Sequence, residues 1–237
     1  MRTWWPWARI AASLLGFAAI AAQLIRTLGI AVESPTAHGS HLLTVTVNFF
    51  SFFTILSNLG AAVMLAVAAI WAWTRGRDAT QEPRWLAVLL ACVATYMITT
   101  GLVFNILLRG YELPQGATVP WSNEVLHVGI PLFLLIDVLV APLRRRMSWG
   151  TVATIAAFPI VWAIYTLIRA NLVISPATGT EYWYPYPFLN PHITPGHYLG
   201  VAGYIVGIAV LIVAVGAGVV WAARKRAASG SDGATRR

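Results

Sequence analysis

Six long runs of apolar residues constrain this chain more than any other feature. A helix that crosses a bilayer needs about 20 mostly apolar residues, and runs of that length recur along the sequence. They predict transmembrane helices at residues 9–30, 43–73, 85–108, 122–142, 149–171 and 197–222. We therefore expect an all-α integral membrane protein in which residues 1–223 form one bundle of six transmembrane helices.

The composition excludes the other broad classes of protein. Of the 237 residues, 58% are apolar and 10% are charged, whereas soluble domains carry roughly 45–50% apolar and about 25% charged residues. A single cysteine excludes a disulfide framework. The segment 224–237 is rich in Ser, Gly, Ala and Arg, so it is predicted to be a disordered basic tail.

The basic residues predict the orientation of the bundle. Six spans place both termini and the second and fourth connections on one side, and thirteen of the sixteen Lys and Arg residues lie there. These are Arg2, Arg9, Arg75, Arg77, Arg84, Arg144, Arg145, Arg146, Arg224, Lys225, Arg226, Arg236 and Arg237. The positive-inside rule then makes both termini cytoplasmic, in a multi-pass protein of the plasma or inner membrane. This explanation of the +8 charge requires no nucleic-acid partner.

Polar side chains within the spans gather at one depth. Exposing such residues to lipid costs free energy, so they usually face the bundle interior. At 1.5 Å per helical residue, one layer in the outer half of the membrane contains Arg26, Thr54, Asn105, Arg109, Glu124, His127 and Arg169. The second span also carries a polar stripe of Thr44, Asn48, Ser51, Thr54 and Asn58, spaced as one helix face. The alternative is that the hydroxyls bond to their own helix and help helices pack.

His127 is the one histidine inside a predicted span. Its depth differs from that of Thr54 by about 6 Å, so the two residues are predicted to meet. Asn123 and Glu124 lie four and three residues earlier, where either side chain can orient the ring. The alternative is a histidine that only joins helices by hydrogen bonds.

No cofactor or metal is expected. A membrane haem site needs histidines on facing helices, and only one is present inside the spans. The remaining histidines lack the close spacing of zinc ligands. They are His38, His41, His192 and His197.

Three short motifs resemble those of the androgen-induced membrane protein family. They are Phe52-Phe53-Thr54, Trp121-Ser122-Asn123-x-x-x-His127 with Pro131, and Tyr186-Pro187-Phe188-Leu189 followed by Pro195-Gly196. The likeness covers roughly residues 45–200 in the same order. It implies a six-span hydrolase of fatty acid esters of hydroxy fatty acids, with Thr54 and His127 as the intramembrane catalytic residues.

The residues themselves are compatible with this chemistry. A threonine hydroxyl becomes a nucleophile when a base accepts its proton, and His127 is a base that works at neutral pH. Asn58, Asn105 or an arginine can stabilise the oxyanion, and Arg26, Arg109 or Arg169 can hold a carboxylate. We therefore expect a lipid-ester hydrolase, with membrane lipids and a lipid-ester or fatty-acid ligand as partners.

Two non-enzymatic functions remain open at this point. The same polar cavity would suit a lipid- or small-molecule-binding protein or a small carrier, and a structural membrane partner would need no ligand. The proline-rich aromatic segment before the last span carries Trp183, Tyr184, Tyr186 and Phe188. We expect it to fold over the polar layer as a lid, and the alternative is an aromatic belt at the membrane interface.

Overall fold

The computed structural model of the chain describes residues 3–110, 118–142 and 145–232. In this part of the chain six helices are long and apolar enough to cross a membrane, as expected of a multi-pass membrane protein. The helices are α1 (Trp5–Val32), α2 (Leu42–Phe49), α3 (Phe53–Trp73), α4 (Arg84–Leu108), α5 (Pro120–Val140), α6 (Thr151–Ala170) and α7 (His197–Asp232). The prediction of six long apolar helices is confirmed.

The last helix continues past the predicted start of the tail. It extends to Asp232, because Ala, Arg and Lys are good helix formers. The Arg226 guanidinium also ties this end to α5, donating to the carbonyls of Val138 and Ala141. Residues 233–237 of the predicted tail lie outside the described residues, as do Arg2 and Arg144.

The prediction of one continuous helix over residues 43–73 is wrong. Helix α2 ends at Phe49 and α3 begins at Phe53, with Phe52 in an extended conformation. The predicted polar stripe is therefore not a single helix face. Four of its members are still buried, namely Asn48, Ser51, Thr54 and Asn58. The fifth, Thr44, instead pairs its hydroxyl with the His41 ring at 2.8 Å.

Two aromatic side chains from other segments satisfy the backbone at this break. The Ser51 carbonyl accepts a hydrogen bond from the Trp162 indole of α6 at 2.9 Å. The Thr54 backbone N–H donates to the Tyr186 hydroxyl at 3.2 Å. Non-helical backbone at membrane depth is tolerated only where protein partners satisfy its polar groups. Tertiary contacts, rather than a local Gly or Pro, therefore stabilise the break.

The segment 171–196, which we call the aromatic loop, packs into one end of the bundle. Its backbone joins α6 through a 2.8 Å hydrogen bond from Trp183 N–H to the Ala170 carbonyl. The predicted packing of this loop onto the bundle is confirmed, since Trp183, Tyr184, Tyr186 and Phe188 are all buried. We call the end of the bundle at which this loop lies the aromatic-loop end. The opposite end, where residues 74–83 and 145–150 lie, is the arginine-rich end.

One buried ion pair joins α1 to α5 near the arginine-rich end. The Arg9 guanidinium donates to both carboxylate oxygens of Asp137, at 2.8 and 3.1 Å. The Trp5 indole donates to the same carboxylate at 2.6 Å. The two charged side chains are 5% and 1% exposed. Removing one partner of such a buried pair is strongly destabilising, because the other charge stays buried without compensation.

We predict that Asp137→Ala lowers the free energy of unfolding by about 3–5 kcal/mol. Denaturant unfolding of the purified chain in mixed micelles measures this loss. The control is Glu124→Ala, which removes the half-exposed Arg109–Glu124 pair and should have a much smaller effect. The double change Arg9→Met with Asp137→Leu should recover most of the loss. Equal effects of the two single substitutions would contradict this account.

Candidate functional site

Thr54, His127 and Tyr186 meet at the break between α2 and α3. The Thr54 hydroxyl oxygen lies 3.4 Å from His127 Nε2 and 3.2 Å from the Tyr186 hydroxyl. All three side chains are buried. Thr54 is the second residue of α3, so its backbone N–H lies in the first turn, where helices leave their N–H groups without helical partners. The predicted contact between Thr54 and His127 is present.

A backbone carbonyl fixes the orientation of the His127 ring. Nδ1 lies 2.9 Å from the carbonyl oxygen of Asn123, and a carbonyl can only accept a hydrogen bond. Nδ1 therefore carries the proton in the neutral ring, which leaves the lone pair of Nε2 facing the Thr54 hydroxyl. The expectation that the Asn123 or Glu124 side chain orients the ring is wrong, because the Asn123 main chain does so.

The resulting hydrogen bonds form an ordered chain. Tyr186 accepts from the Thr54 N–H and can donate its own proton to the Thr54 hydroxyl oxygen, while the Thr54 hydroxyl donates to His127. Burial raises the pKa of the Tyr186 phenol, so this group keeps its proton at neutral pH. Such a network prepares the threonine oxygen to lose its proton to the imidazole.

Two π-helical turns face each other at His127. They span Phe104–Leu108 in α4 and Val125–Gly129 in α5, and turns of this kind are frequent at functional sites. The Phe104 ring stacks on the imidazole with 3.7 Å between ring centres. A Cβ at Gly101 would lie 3.2 Å from the His127 carbonyl oxygen and 2.9 Å from Pro131. The close approach of α4 to α5 therefore requires glycine at this position.

The other predicted asparagines support the backbone rather than the Thr54 hydroxyl. The Asn58 amide donates to the carbonyls of Thr54 and Leu126, at 2.9 and 3.1 Å. The Asn105 amide donates to the carbonyls of Gly101 and His127. Neither amide is directed at the threonine oxygen, so the expectation that they stabilise an oxyanion there is not met by this geometry.

The predicted arginines do not converge on Thr54 either. Arg109 forms a two-pronged ion pair with Glu124, at 2.8 and 3.1 Å, and also donates to Asn105. Arg26 is exposed on α1. The Arg169 guanidinium lies over the Trp183 ring. None of these guanidinium groups forms a hydrogen bond with Thr54, His127 or Tyr186 among the contacts of the described residues.

Tyr186 is a site residue that the sequence interpretation did not identify. Its place in the sequence predicts only that it belongs to the lid, with no role for its hydroxyl at Thr54. The available signal was the Tyr-Pro-Phe-Leu motif, since Pro187 fixes the backbone directly after this tyrosine. In the structure a 3₁₀ turn at Pro187–Leu189 follows it, and the Tyr186 ring packs against Phe52 and Phe188.

Two cavities of different character meet at Thr54. One has a volume of about 230 Å³ and lies between α3, α4, α6, α7 and the aromatic loop, with almost entirely apolar walls. The other measures about 60 Å³ and has mixed walls, in which Gln23, Thr27 and His127 lie among apolar side chains. Thr54 lines both cavities. Both spaces therefore border this threonine.

A surface groove between α4 and α7 lies beside the apolar cavity. Val103 and Ile208 line both spaces. Gly203 and Gly207 line the groove, and a Cβ at either position would meet nothing within 4 Å. The groove is therefore an open surface next to the cavity.

Comparison with known proteins finds no family model, curated protein or solved structure that matches this chain. Within the described residues, no group of three or more His, Cys, Asp or Glu side chains is placed to hold a metal ion.

We predict that Trp162→Phe destabilises the bundle by about 1–3 kcal/mol, because it leaves the Ser51 carbonyl buried without a donor. Denaturant unfolding measures the change, and Trp221→Phe serves as the control, since this tryptophan is 56% exposed. Loss of the donor should also increase amide hydrogen exchange at the start of α3. Unchanged stability and unchanged exchange would show that the indole does not hold the break.

Proposed function

We propose that this chain is an intramembrane hydrolase of lipid (fatty-acyl) esters and a relative of the androgen-induced membrane proteins. The observation that carries the proposal is the Thr54–His127 pair, 3.4 Å apart. A backbone carbonyl holds the other ring nitrogen. A hydroxyl, a base and a group that orients the base are the parts that a nucleophilic hydrolase needs.

The reaction proceeds in two steps, which are acylation of Thr54 and hydrolysis of the acyl-threonine. His127 Nε2 accepts the Thr54 hydroxyl proton as the oxygen attacks the ester carbonyl carbon, and the tetrahedral intermediate then expels the alcohol, which takes the proton from the imidazole. Water next attacks the acyl-threonine and gives its proton to His127. The ester between threonine and the acyl group breaks, the free acid leaves, and the proton returns to the Thr54 oxygen.

Tyr186 and the first turn of α3 stabilise the negative charge that develops. The Tyr186 hydroxyl already reaches the Thr54 oxygen and the Thr54 N–H, and the N-terminus of a helix favours a nearby negative charge. These donors replace the asparagines and arginines considered from the sequence. Donors fixed before the reaction are an effective way to stabilise an oxyanion.

Each of the two cavities serves one step of the reaction. The apolar cavity accepts the acyl chain, which enters through the groove between α4 and α7. The smaller pocket, whose walls include Gln23, Thr27 and Asn123, supplies the water that hydrolyses the acyl-threonine. A site at this depth acts on esters dissolved in the lipid, so the substrate need not enter bulk water.

We expect Thr54→Ala and His127→Ala each to reduce hydrolysis of a nitrophenyl fatty-acyl ester by about 10³-fold or more. The double variant should be no slower than either single one, since the residues act as a unit. Tyr186→Phe should lower kcat by about 10²-fold through the loss of one oxyanion donor. The purified protein in micelles is the sample for all of these assays.

The matched control is Thr95→Ala, since the Thr95 hydroxyl bonds only to the Ala91 carbonyl of its own helix. This variant should keep its activity and its reaction with an active-site acylating probe, whereas Thr54→Ala should lose both. Hydrolysis that survives Thr54→Ala would exclude the mechanism.

The apolar cavity also supports a second candidate function, that of a lipid- or small-molecule-binding protein without catalysis. Its walls are almost entirely apolar, with Phe53, Phe188 and Ile212 among them, as in pockets that bind apolar ligands. Retention of a fatty acid by wild type and Thr54→Ala alike, with no ester hydrolysis by either, would favour this function.

The orientation and the location of the protein belong to the same proposal. The basic residues at the arginine-rich end support a cytoplasmic location for this end and both termini, with the aromatic loop on the outer side of the plasma or inner membrane. On a Cys92→Ala background, a cysteine at Glu181 should react with an impermeant thiol reagent added to intact cells. A cysteine at Asp78 should react only after lysis. The reverse pattern would invert the orientation.

A further inference from the structure

A second group of polar atoms lies at the aromatic-loop end, apart from Thr54 and His127. Four residues there carry buried polar atoms without a hydrogen-bond partner among the described residues. They are Asn48 on α2, Thr166 and Arg169 on α6, and Trp183 in the aromatic loop. The large majority of buried polar atoms in proteins are paired, so four such residues in one region point to a binding site for a polar group.

Three of these residues are brought together by α6 and the aromatic loop. Thr166 precedes Arg169 by three residues, which places them on the same side of the helix. The Arg169 guanidinium carbon lies 5.6 Å from the centre of the Trp183 ring. The main-chain bond from Trp183 to Ala170 holds the loop against the end of α6.

The register between α2 and α6 brings Asn48 to the same level. Ser51 sets this register, because its hydroxyl lies 3.0 Å from that of Tyr165 and its carbonyl accepts from Trp162. Asn48 lies one helical turn earlier in α2, towards the aromatic-loop end. In α6, which runs the opposite way, the corresponding turn contains Thr166 and Arg169.

The unpaired atoms are mostly donors, and one of them is cationic. The Arg169 guanidinium and the Trp183 indole can only donate, whereas the Thr166 hydroxyl and the Asn48 amide can do either. Asn48, Thr166 and Trp183 are at most 3% exposed. The ion pairs found among the described residues are Arg9–Asp137 and Arg109–Glu124, and neither supplies a counter-ion to Arg169. A negatively charged acceptor would pair with the donors of this set, whereas the Asn48 amide oxygen is an acceptor and needs a donor such as water.

We propose that Asn48, Thr166, Arg169 and Trp183 form an anion-binding site that holds the oxyanion headgroup, a carboxylate or a phosphate, of a membrane lipid. Arg169 is only half-buried, so the site can be reached from the surface of the bundle. Large apolar side chains beside it are exposed, with Ile168 at 64% and Leu172 at 77%. This surface suits the acyl chain of a lipid whose headgroup lies against the guanidinium.

Native mass spectrometry of the full chain in detergent tests the site with two matched pairs of lipids. Oleate is compared with oleyl alcohol, and dioleoyl phosphatidic acid with dioleoylglycerol. We expect at least one anionic lipid to bind about 10-fold or more tightly than its neutral partner, from hydrogen bonds to a charged group. The pair that shows the preference identifies the headgroup as carboxylate or phosphate.

Variants locate the site and separate it from the proposed catalysis. Arg169→Gln should reduce the preference for the anionic lipid about 10-fold or more, and Trp183→Phe, which keeps a ring but removes the donor, should also reduce it. Arg26→Gln, an exposed arginine at the same end, and Thr54→Ala should both retain it. Equal binding of anionic and neutral lipids, as expected if water alone fills the site, would overturn the proposal. An equal loss in Arg169→Gln and Arg26→Gln would do the same.

Discussion

Backbone hydrogen bonding inside an apolar layer is the constraint on which this structure depends. The chain leaves regular helix between Phe49 and Phe53, and two aromatic side chains satisfy the groups set free, namely Trp162 at the Ser51 carbonyl and Tyr186 at the Thr54 N–H. A third case lies within α6, where Pro159 cannot donate to the Ile155 carbonyl and the Tyr96 hydroxyl of α4 does so instead. Polar tips of aromatic residues therefore serve as backbone partners at the break before α3 and at Pro159.

The same departures from regularity create the candidate site. The break places Thr54 in the first turn of α3, beside Tyr186, and the facing π turns bring Phe104 onto the His127 ring. Gly101 allows α4 and α5 to approach closely at this level. The ring is held on one edge by a carbonyl and on its face by an aromatic side chain, so its remaining nitrogen has a fixed direction. Side chains held as rigidly as this suit catalysis better than flexible ones.

The charged residues of the bundle divide between structure and surface. Arg9 and Asp137 form a buried pair far from the candidate site, whereas Arg109 and Glu124 link the ends of α4 and α5 with their side chains half-exposed. Neither pair leaves a charge directed at Thr54. The polar residues of the site beside the apolar cavity are therefore an uncharged threonine, tyrosine and histidine. A neutral ester is compatible with such walls, while a charged headgroup fits the region of Arg169 and Trp183.

The sequence by itself determined the number of long helices, the approximate ends of most of them, and the proximity of Thr54 to His127. These features follow from the lengths of the apolar runs and from polar residues at matching depth, which are local properties of a chain in lipid. The tertiary structure alone decided the break before Thr54, the role of the Asn123 carbonyl, and the arrival of Tyr186. Residues 50–52 contain no Gly or Pro, so the local sequence does not predict a break there. The break is stabilised by hydrogen-bonding groups that lie more than one hundred residues away in the chain.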